Sequence, residues 1–143
     1  MLCKSVHLNL HKSNTKLQNT PSMRKILVIG AGKSTSQLVN YLLNKSAAED
    51  LHITVGDISL ENAQKLINNH DNGTAISLDV FDKTQREQAI QEATIVISML
   101  PARFHIEVAK DCVTFNKSMV TASYISKEME ALDTAVKEKG LVF

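Results

Sequence analysis

A doubly wound parallel sheet with helices on both faces is the α/β fold that this 143-residue sequence predicts, and three observations predict it. Four consecutive apolar residues, Ile26–Ile29, read as a strand buried on both faces rather than on one. The chain leaves that strand through Gly30 and Gly32 and passes directly into a helical pattern at Leu38, Val39, Leu42 and Leu43. Strand and helix patterns then alternate to the end, the order that parallel strands joined by right-handed crossovers require.

Residues 1–22 carry Ser, Thr, Asn, Lys and His with scattered leucines and no acidic residue, and are expected to form a disordered leader. A transit peptide is the other reading of such a start, though it is poor in arginine and shows no clear amphipathic helix. The folded domain is expected over 23–143. After the first helix, His52–Asp57 reads as a second strand ending in a carboxylate, and Ser59 caps a helix through Asn69 with Ala63, Leu66 and Ile67 inward. Asn72-Gly73 turns the chain into a third strand, Thr74–Leu78, which ends at Asp79-Val80. Asp82-Lys83-Thr84 opens a helix carrying Ala89 and Ile90, and Ala93–Leu100 reads as a fully buried strand stopped by Pro101. A helix over Arg103–Phe115, a strand over Met119–Ala122 and one helix over Ser126–Lys139 follow. Gly140 caps the last helix, and Leu141–Phe143 opens a sixth strand at which the chain stops.

The formal net charge is +1 with the cations scattered, which argues against nucleic acid as a partner, and no apolar run is long enough to span a membrane. The two cysteines, Cys3 and Cys112, lie far apart in a chain without a secretory signal, so a reducing, cytoplasmic setting is expected. Cys112 shares a helical pattern with Val108, Ala109 and Val113 and reads as a core residue rather than a nucleophile. No metal is expected.

Ligands of such sheets lie beyond the carboxyl ends of the strands, where strand order reverses. That rule gathers Gly30–Thr35, Gly56-Asp57, Asp79-Val80, Ser98–Pro101 and Thr121–Tyr124 along one edge. Strand, glycine turn and helix together make half of a dinucleotide site of Rossmann type. Gly30 permits the tight turn, Gly32 lets the backbone approach a pyrophosphate, and the helix start at Lys33, Ser34 and Thr35 offers N–H groups to that anion. Thr35 stands where the fingerprint has its third glycine, which predicts a wider approach of helix to strand. Gly32-Lys33-Ser34 also looks like the end of a triphosphate-binding loop, but that loop needs a glycine where Leu27 stands inside the strand. A structural strand-turn-helix without ligand is the remaining alternative.

Asp57 lies 22 residues beyond Thr35, where an acid accepts the adenosine ribose hydroxyls; a capping or solvated aspartate is the alternative. Ile58 follows it, and Asp79 and Val80 either line the adenine pocket or make a turn. Ser98 and Met99 are expected beneath the nicotinamide half. His105, at a helix N-terminus where a cation is disfavoured, is expected to stay neutral, either packing or relaying a proton. Tyr124 is the other catalytic candidate, without the Tyr-x-x-x-Lys pairing, because Glu128 stands four residues on and Lys127 comes one early. Asp57 accepts ribose hydroxyls well and a phosphate badly, since a carboxylate at about 5 Å opposes a phosphate by roughly 3 kcal/mol per unit charge at an effective dielectric of about 20. No arginine adjoins it, so NAD is the expected cofactor and NADP the other option. Lys33 is the residue that argues for NADP.

Three segments carry a resemblance: Ile29-Gly-Ala-Gly-Lys33, Ser98-Met-Leu-Pro-Ala-Arg-Phe-His105 and, most specifically, Met119-Val-Thr-Ala-Ser-Tyr-Ile-Ser126 with the helix to Gly140. Over about residues 24–143 the chain resembles the cofactor domain of the saccharopine dehydrogenase family, in its glutamate-forming, saccharopine-reductase branch. The resemblance implies oxidoreduction of a carbon–nitrogen bond in lysine metabolism. Hydride passes between the nicotinamide and the secondary amine of saccharopine, and the imine is hydrolysed to glutamate and aminoadipate semialdehyde. It further implies that Leu100, Pro101, Ala122, Ser123 and Tyr124 border a small, saccharopine-like substrate, and that a second domain supplies most substrate contacts. The isolated chain is then expected to bind a dinucleotide without turning it over. A homodimer is left open for the full-length enzyme. Two positions depart from the family pattern, Thr94 where an acidic residue is usual and Ala102 where a tyrosine is often found. A stand-alone NAD(H)-binding regulatory module is the alternative from another class, distinguished by whether the reading frame continues past Phe143.

Overall fold

The computed structural model describes residues 23–143, so the expected leader lies outside the described residues. Five strands alternate with helices: β1 Arg24–Ile29, α1 Thr35–Ser46, β2 Leu51–Asp57, α2 Leu60–Ile67, β3 Gly73–Ser77, α3 Lys83–Glu92, β4 Ile95–Ser98, α4 His105–Thr114, β5 Ser118–Thr121, and two short helices, α5 Lys127–Glu130 and α6 Asp133–Glu138. The strands form one parallel sheet in the order β3-β2-β1-β4-β5. The order reverses at β1, which therefore has a partner on each side, with Ile29 level with Gly56 on β2 and with Ser98 on β4.

The unbroken apolar run of β1 is divided between two cores. Ile26 and Val28 join Val39 and Leu43 of α1 and Ala63 and Ile67 of α2 on one face. Leu27 and Ile29 join Ile90 of α3 and Val108, Ala109 and Cys112 of α4 on the other. Each such Val, Leu or Ile contributes about 1.5–3 kcal/mol on burial, so this one strand contributes to both helical layers, alongside Ile53 and Val55 of β2 on the first face and Val96 of β4 and Met119 of β5 on the second. Cys112 is fully buried, and burial followed by the neighbouring Asp111 carboxylate pushes its thiol pKa up to about 12, as suits a core residue.

The starts of α2 and α3 follow their capping side chains. The Ser59 hydroxyl accepts the Asn62 N–H at the head of α2, and Asp82 accepts the Thr84 and Gln85 N–H groups at the head of α3. Several boundaries differ from expectation. Helix α2 stops at Ile67 because Asn68 and Asn69 adopt left-handed backbone, φ 48° and 58°, which asparagine tolerates. Strand β4 covers only Ile95–Ser98, although the Met99 N–H still donates to the Ile29 carbonyl at 2.8 Å. The single helix expected over Ser126–Lys139 is two helices, because the chain tightens where the Leu132 N–H donates to Met129 three residues back. Gly140 ends α6 at φ 64°, with the Leu141 N–H closing onto the Val136 carbonyl at 2.9 Å. The expected sixth strand is a segment joined to β5 by the Met119 N–H donating to the Val142 carbonyl at 2.9 Å and the Val142 N–H donating to Ser118 Oγ at 3.2 Å, and it builds no ladder.

Candidate functional site

The carboxyl ends of the five strands bring the expected site residues to one edge, and two glycines there do different work. Gly30 has φ 101°, and a Cβ on it would stand 3.2 Å from the Met99 carbonyl oxygen, so a left-handed turn and close contact with the end of β4 both require glycine. A Cβ on Gly32 would meet nothing within 4 Å. Gly32, Lys33 and Ser34 are exposed, and their backbone N–H groups have no acceptor among the described residues. Ser34 makes no side-chain cap on α1, which leaves the helix head free for an external acceptor. Thr35 is fully buried and its Oγ1 has no hydrogen-bond partner among the described residues, where the fingerprint has its third glycine.

Asp57 has structural work that its spacing did not announce. Its Oδ2 accepts the Ala31 N–H at 2.7 Å and its Oδ1 accepts the Ser59 N–H at 2.8 Å, so the carboxylate ties the end of β2 to the glycine turn. Each oxygen keeps a further lone pair for a hydroxyl donor. Ile58 beside it is 74% exposed. Gly56, at the end of the same strand, is pressed against β3: a Cβ there would lie 2.8 Å from Leu78 Cδ2. Asp79 makes a turn, its Oδ1 accepting the Phe81 N–H at 2.9 Å, while Val80 is half-buried with its carbonyl accepting from Arg86 Nη1.

Arg86 was not singled out in the sequence. It occupies the inward face of α3, one turn before Ile90, and its Nε donates to Asp111 Oδ2 of α4 at 2.5 Å with both side chains almost wholly buried. An arginine at an inward helical position was the available signal, and Asp111, one residue before Cys112, was its counterpart. Phe81 and Phe104 also meet edge to face at 5.0 Å, joining the turns that precede α3 and α4.

The β4–β5 side is built from side chains. Ser98 Oγ lies 2.8 Å from His105 Nδ1, and His105 Nε2 lies 2.9 Å from Ser123 Oγ. Ser98 is fully buried, His105 is 3% exposed, and Ser123 is half-buried. Burial holds the His105 imidazole below its ordinary pKa, so the ring is neutral as expected, and both of its nitrogens are engaged. His105 therefore reaches a ligand only through a serine. Leu100 is partly buried against the α3–α4 core, Pro101 and Ala122 are exposed, and the Tyr124 ring is fully exposed. A depression of about 310 Å3 lies at the opposite, amino end of the strands, between Lys25, His52, Thr54 and Thr74, away from this edge.

A sequence model of the saccharopine dehydrogenase NADP binding domain matches residues 26–143. The chain belongs to the saccharopine dehydrogenase family. Saccharopine dehydrogenase [NADP(+), L-glutamate-forming] of Pyricularia oryzae is 33% identical over 118 residues, covering 82% of this chain and 25% of that protein. The mitochondrial alpha-aminoadipic semialdehyde synthase of Mus musculus is 32% identical over 135 residues, covering 92% of this chain and 14% of that protein. The solved structure of saccharopine dehydrogenase (L-Glu forming) from Saccharomyces cerevisiae superposes with a TM-score of 0.75 at 30% identity, covering 82% of this chain and 26% of that one. The chain thus spans about a quarter of the length of the L-glutamate-forming family members, and what it holds of the saccharopine dehydrogenase architecture is the nucleotide-binding domain. The family model is named for NADP, and the preference for NAD read from Asp57 finds no support in these comparisons.

Proposed function

We propose that this chain holds a nicotinamide dinucleotide along the carboxyl edge of its sheet for oxidoreduction of a saccharopine-like secondary amine, with NAD preferred to NADP. The observation that carries the reading is the glycine turn. Open space above Gly32 lies beside three N–H groups at the head of α1 that have no partner among the described residues, the combination a pyrophosphate needs. From that point the adenosine ribose falls toward Asp57 on β2, and the other half of the ligand falls toward Ser98 on β4 and Ser123 just beyond β5, because strand order reverses at β1. When bound, the nicotinamide supplies the hydride acceptor or donor. The chain's own residues bind and orient: the turn holds the phosphates, Asp57 accepts ribose hydroxyls, and Leu100, Pro101, Ala122, Ser123 and Tyr124 border the substrate. A reducing, cytoplasmic setting belongs to the same reading.

The NAD preference rests on Asp57 and on what stands next to it. A carboxylate fixed by two N–H groups cannot swing away from a 2′-phosphate, and exposed Ile58 offers no cation to offset the repulsion. Titration of NADH and NADPH at fixed ionic strength is expected to favour NADH by roughly ten- to a hundredfold. Equal or tighter NADPH binding overturns the preference, and failure to bind either dinucleotide overturns the reading as a whole. Saccharopine-dependent reduction of NAD or NADP by the 143-residue chain alone is not expected, since it spans about a quarter of its relatives.

A further inference from the structure

The hydrogen-bond chain Ser98–His105–Ser123 has a direction, and the direction follows from counting hydrogens. Ser98 Oγ is fully buried at the end of β4, and its contact with His105 Nδ1 is its sole side-chain hydrogen bond among the described residues. Were Nδ1 protonated, it would donate to Ser98, and the serine's own hydrogen would be buried without an acceptor. With Nδ1 bare, Ser98 donates to the ring and every buried hydrogen is used. The ring then carries its hydrogen on Nε2 and donates it to Ser123 Oγ at 2.9 Å. Ser123 has accepted from the ring, so its own hydrogen is the one left over. Ser123 is half-buried, its N–H donates to Thr121 Oγ1 at 2.9 Å, and it sits at the open end of β5 beside exposed Ala122 and Tyr124.

We propose that His105 is a positioning residue locked as its Nε2–H tautomer, and that it thereby presents the Ser123 hydroxyl as a directed donor to a carbonyl or carboxylate oxygen of the bound ligand. This rests on the proposed dinucleotide reading for the ligand, but not for the tautomer. Two sources carry such an oxygen at this end of the sheet, the nicotinamide carboxamide and a carboxylate of the amino-acid substrate. The neutral ring suits the task, because an imidazolium would donate to both serines and leave the Ser98 hydrogen stranded.

Nitrogen-15 NMR of the full 143-residue chain decides the tautomer without any ligand. His105 is expected to show an unprotonated Nδ1 and a protonated Nε2. Its signals are assigned by their loss in His105→Gln or, should that variant not fold, through ring-proton contacts with Ser98 and Ser123. A protonated Nδ1, or a ring that averages between tautomers, overturns the proposal. Binding then tests the donor. Ser123→Ala is expected to weaken NADH roughly three- to tenfold, one hydrogen bond's worth, while leaving ADP-ribose unchanged, and Ser123→Thr is expected to restore NADH binding. That split identifies the carboxamide as the acceptor. Unchanged NADH with weakened binding of saccharopine to the NAD-loaded chain identifies the carboxylate. No change in either, or an equal loss of NADH and ADP-ribose, overturns the donor role. Absence of all dinucleotide binding by the unmutated chain counts against the proposed function, and the NMR result still stands for or against the tautomer.

Discussion

Along the carboxyl edge of the sheet, the β1–β2 side keeps its shape through main chain, with one carboxylate as a tie, whereas the β4–β5 side keeps its shape through two hydroxyls and an imidazole. The first side is closed across two adjacent strands by one bond between residues 26 apart, Ala31 N–H to Asp57 Oδ2 at 2.7 Å. The second spans a strand end, a helix start and a loop, three places brought together only by folding. A site made of backbone tolerates little change in the chain's path but much change in side chains. A site made of side chains has the opposite tolerance. Arg86 links the turn after β3, which flanks β2 in the sheet, to the second side, since it donates to the Val80 carbonyl and to Asp111 on α4, the helix that begins at His105.

Removing that connection is expected to have the largest effect on stability. Arg86→Ala leaves Asp111 buried without its cation and is expected to destabilise by about 3–5 kcal/mol in urea unfolding, while Arg86→Met combined with Asp111→Leu comes close to neutral. A single variant that loses under 1 kcal/mol would show that the two sides are not coupled through this pair.

The neighbouring glycines sharpen the contrast within the main-chain side. Gly30→Ala is expected to cost about 1–2 kcal/mol of stability, from its left-handed backbone and its contact with Met99. Gly32→Val is expected to stay within about 0.5 kcal/mol of wild type and yet to lose NADH binding, because the new side chain enters only ligand space. If Gly32→Val binds NADH normally, the pyrophosphate lies elsewhere.

Acidity probes the side-chain half. Burial holds the folded-state pKa of His105 below its ordinary 6.5, so on acidification the unfolded chain takes up the proton first. The stability contributed by the neutral ring is complete above that ordinary value and is lost as pH falls from there toward the folded pKa. Wild type should therefore lose stability relative to His105→Gln in that window, with a slope of at most about 1.4 kcal/mol per pH unit. Parallel pH profiles for the two proteins would remove His105 from the account. A modest effect of the opposite sign is expected at Thr35, where Thr35→Val replaces a buried hydroxyl unpaired among the described residues by a methyl group and should stabilise by about 1 kcal/mol in thermal or urea unfolding. A destabilised Thr35→Val would mean that the hydroxyl has a partner.

What the sequence disclosed follows the same division. The parallel sheet, the division of β1 between two cores and the glycine turn were legible, because apolar runs and glycines specify backbone locally. The Asn68-Asn69 stop was missed because asparagine in left-handed backbone looks the same in sequence as asparagine within a helix. The break between α5 and α6 was missed because Met129, Leu132 and Val136 keep a helical spacing across it. Asp57 was found by its spacing from the glycines, but its bond to Ala31 was not, since spacing does not reveal where a carboxylate turns. The Ser98, His105 and Ser123 positions were each singled out, yet nothing in their separations of seven and eighteen residues says that they touch. The Arg86–Asp111 pair was the least visible, because inward charged residues are found only when each helix's buried face is already known.

Gly56 bears on how this edge can change over evolutionary time. A side chain there would collide with Leu78, itself 2% exposed in the core, so position 56 is closed until Leu78 is replaced first. Position 57 is restrained as well, since any replacement for Asp57 forfeits the tie to the glycine turn. Position 58 alone is unencumbered, with Ile58 standing 74% in solvent and packed against neither core. A lineage exchanging one dinucleotide for the other has its first step there, where a cationic side chain can be tried and discarded without disturbing the interior, and changes at 57 become tolerable only afterwards.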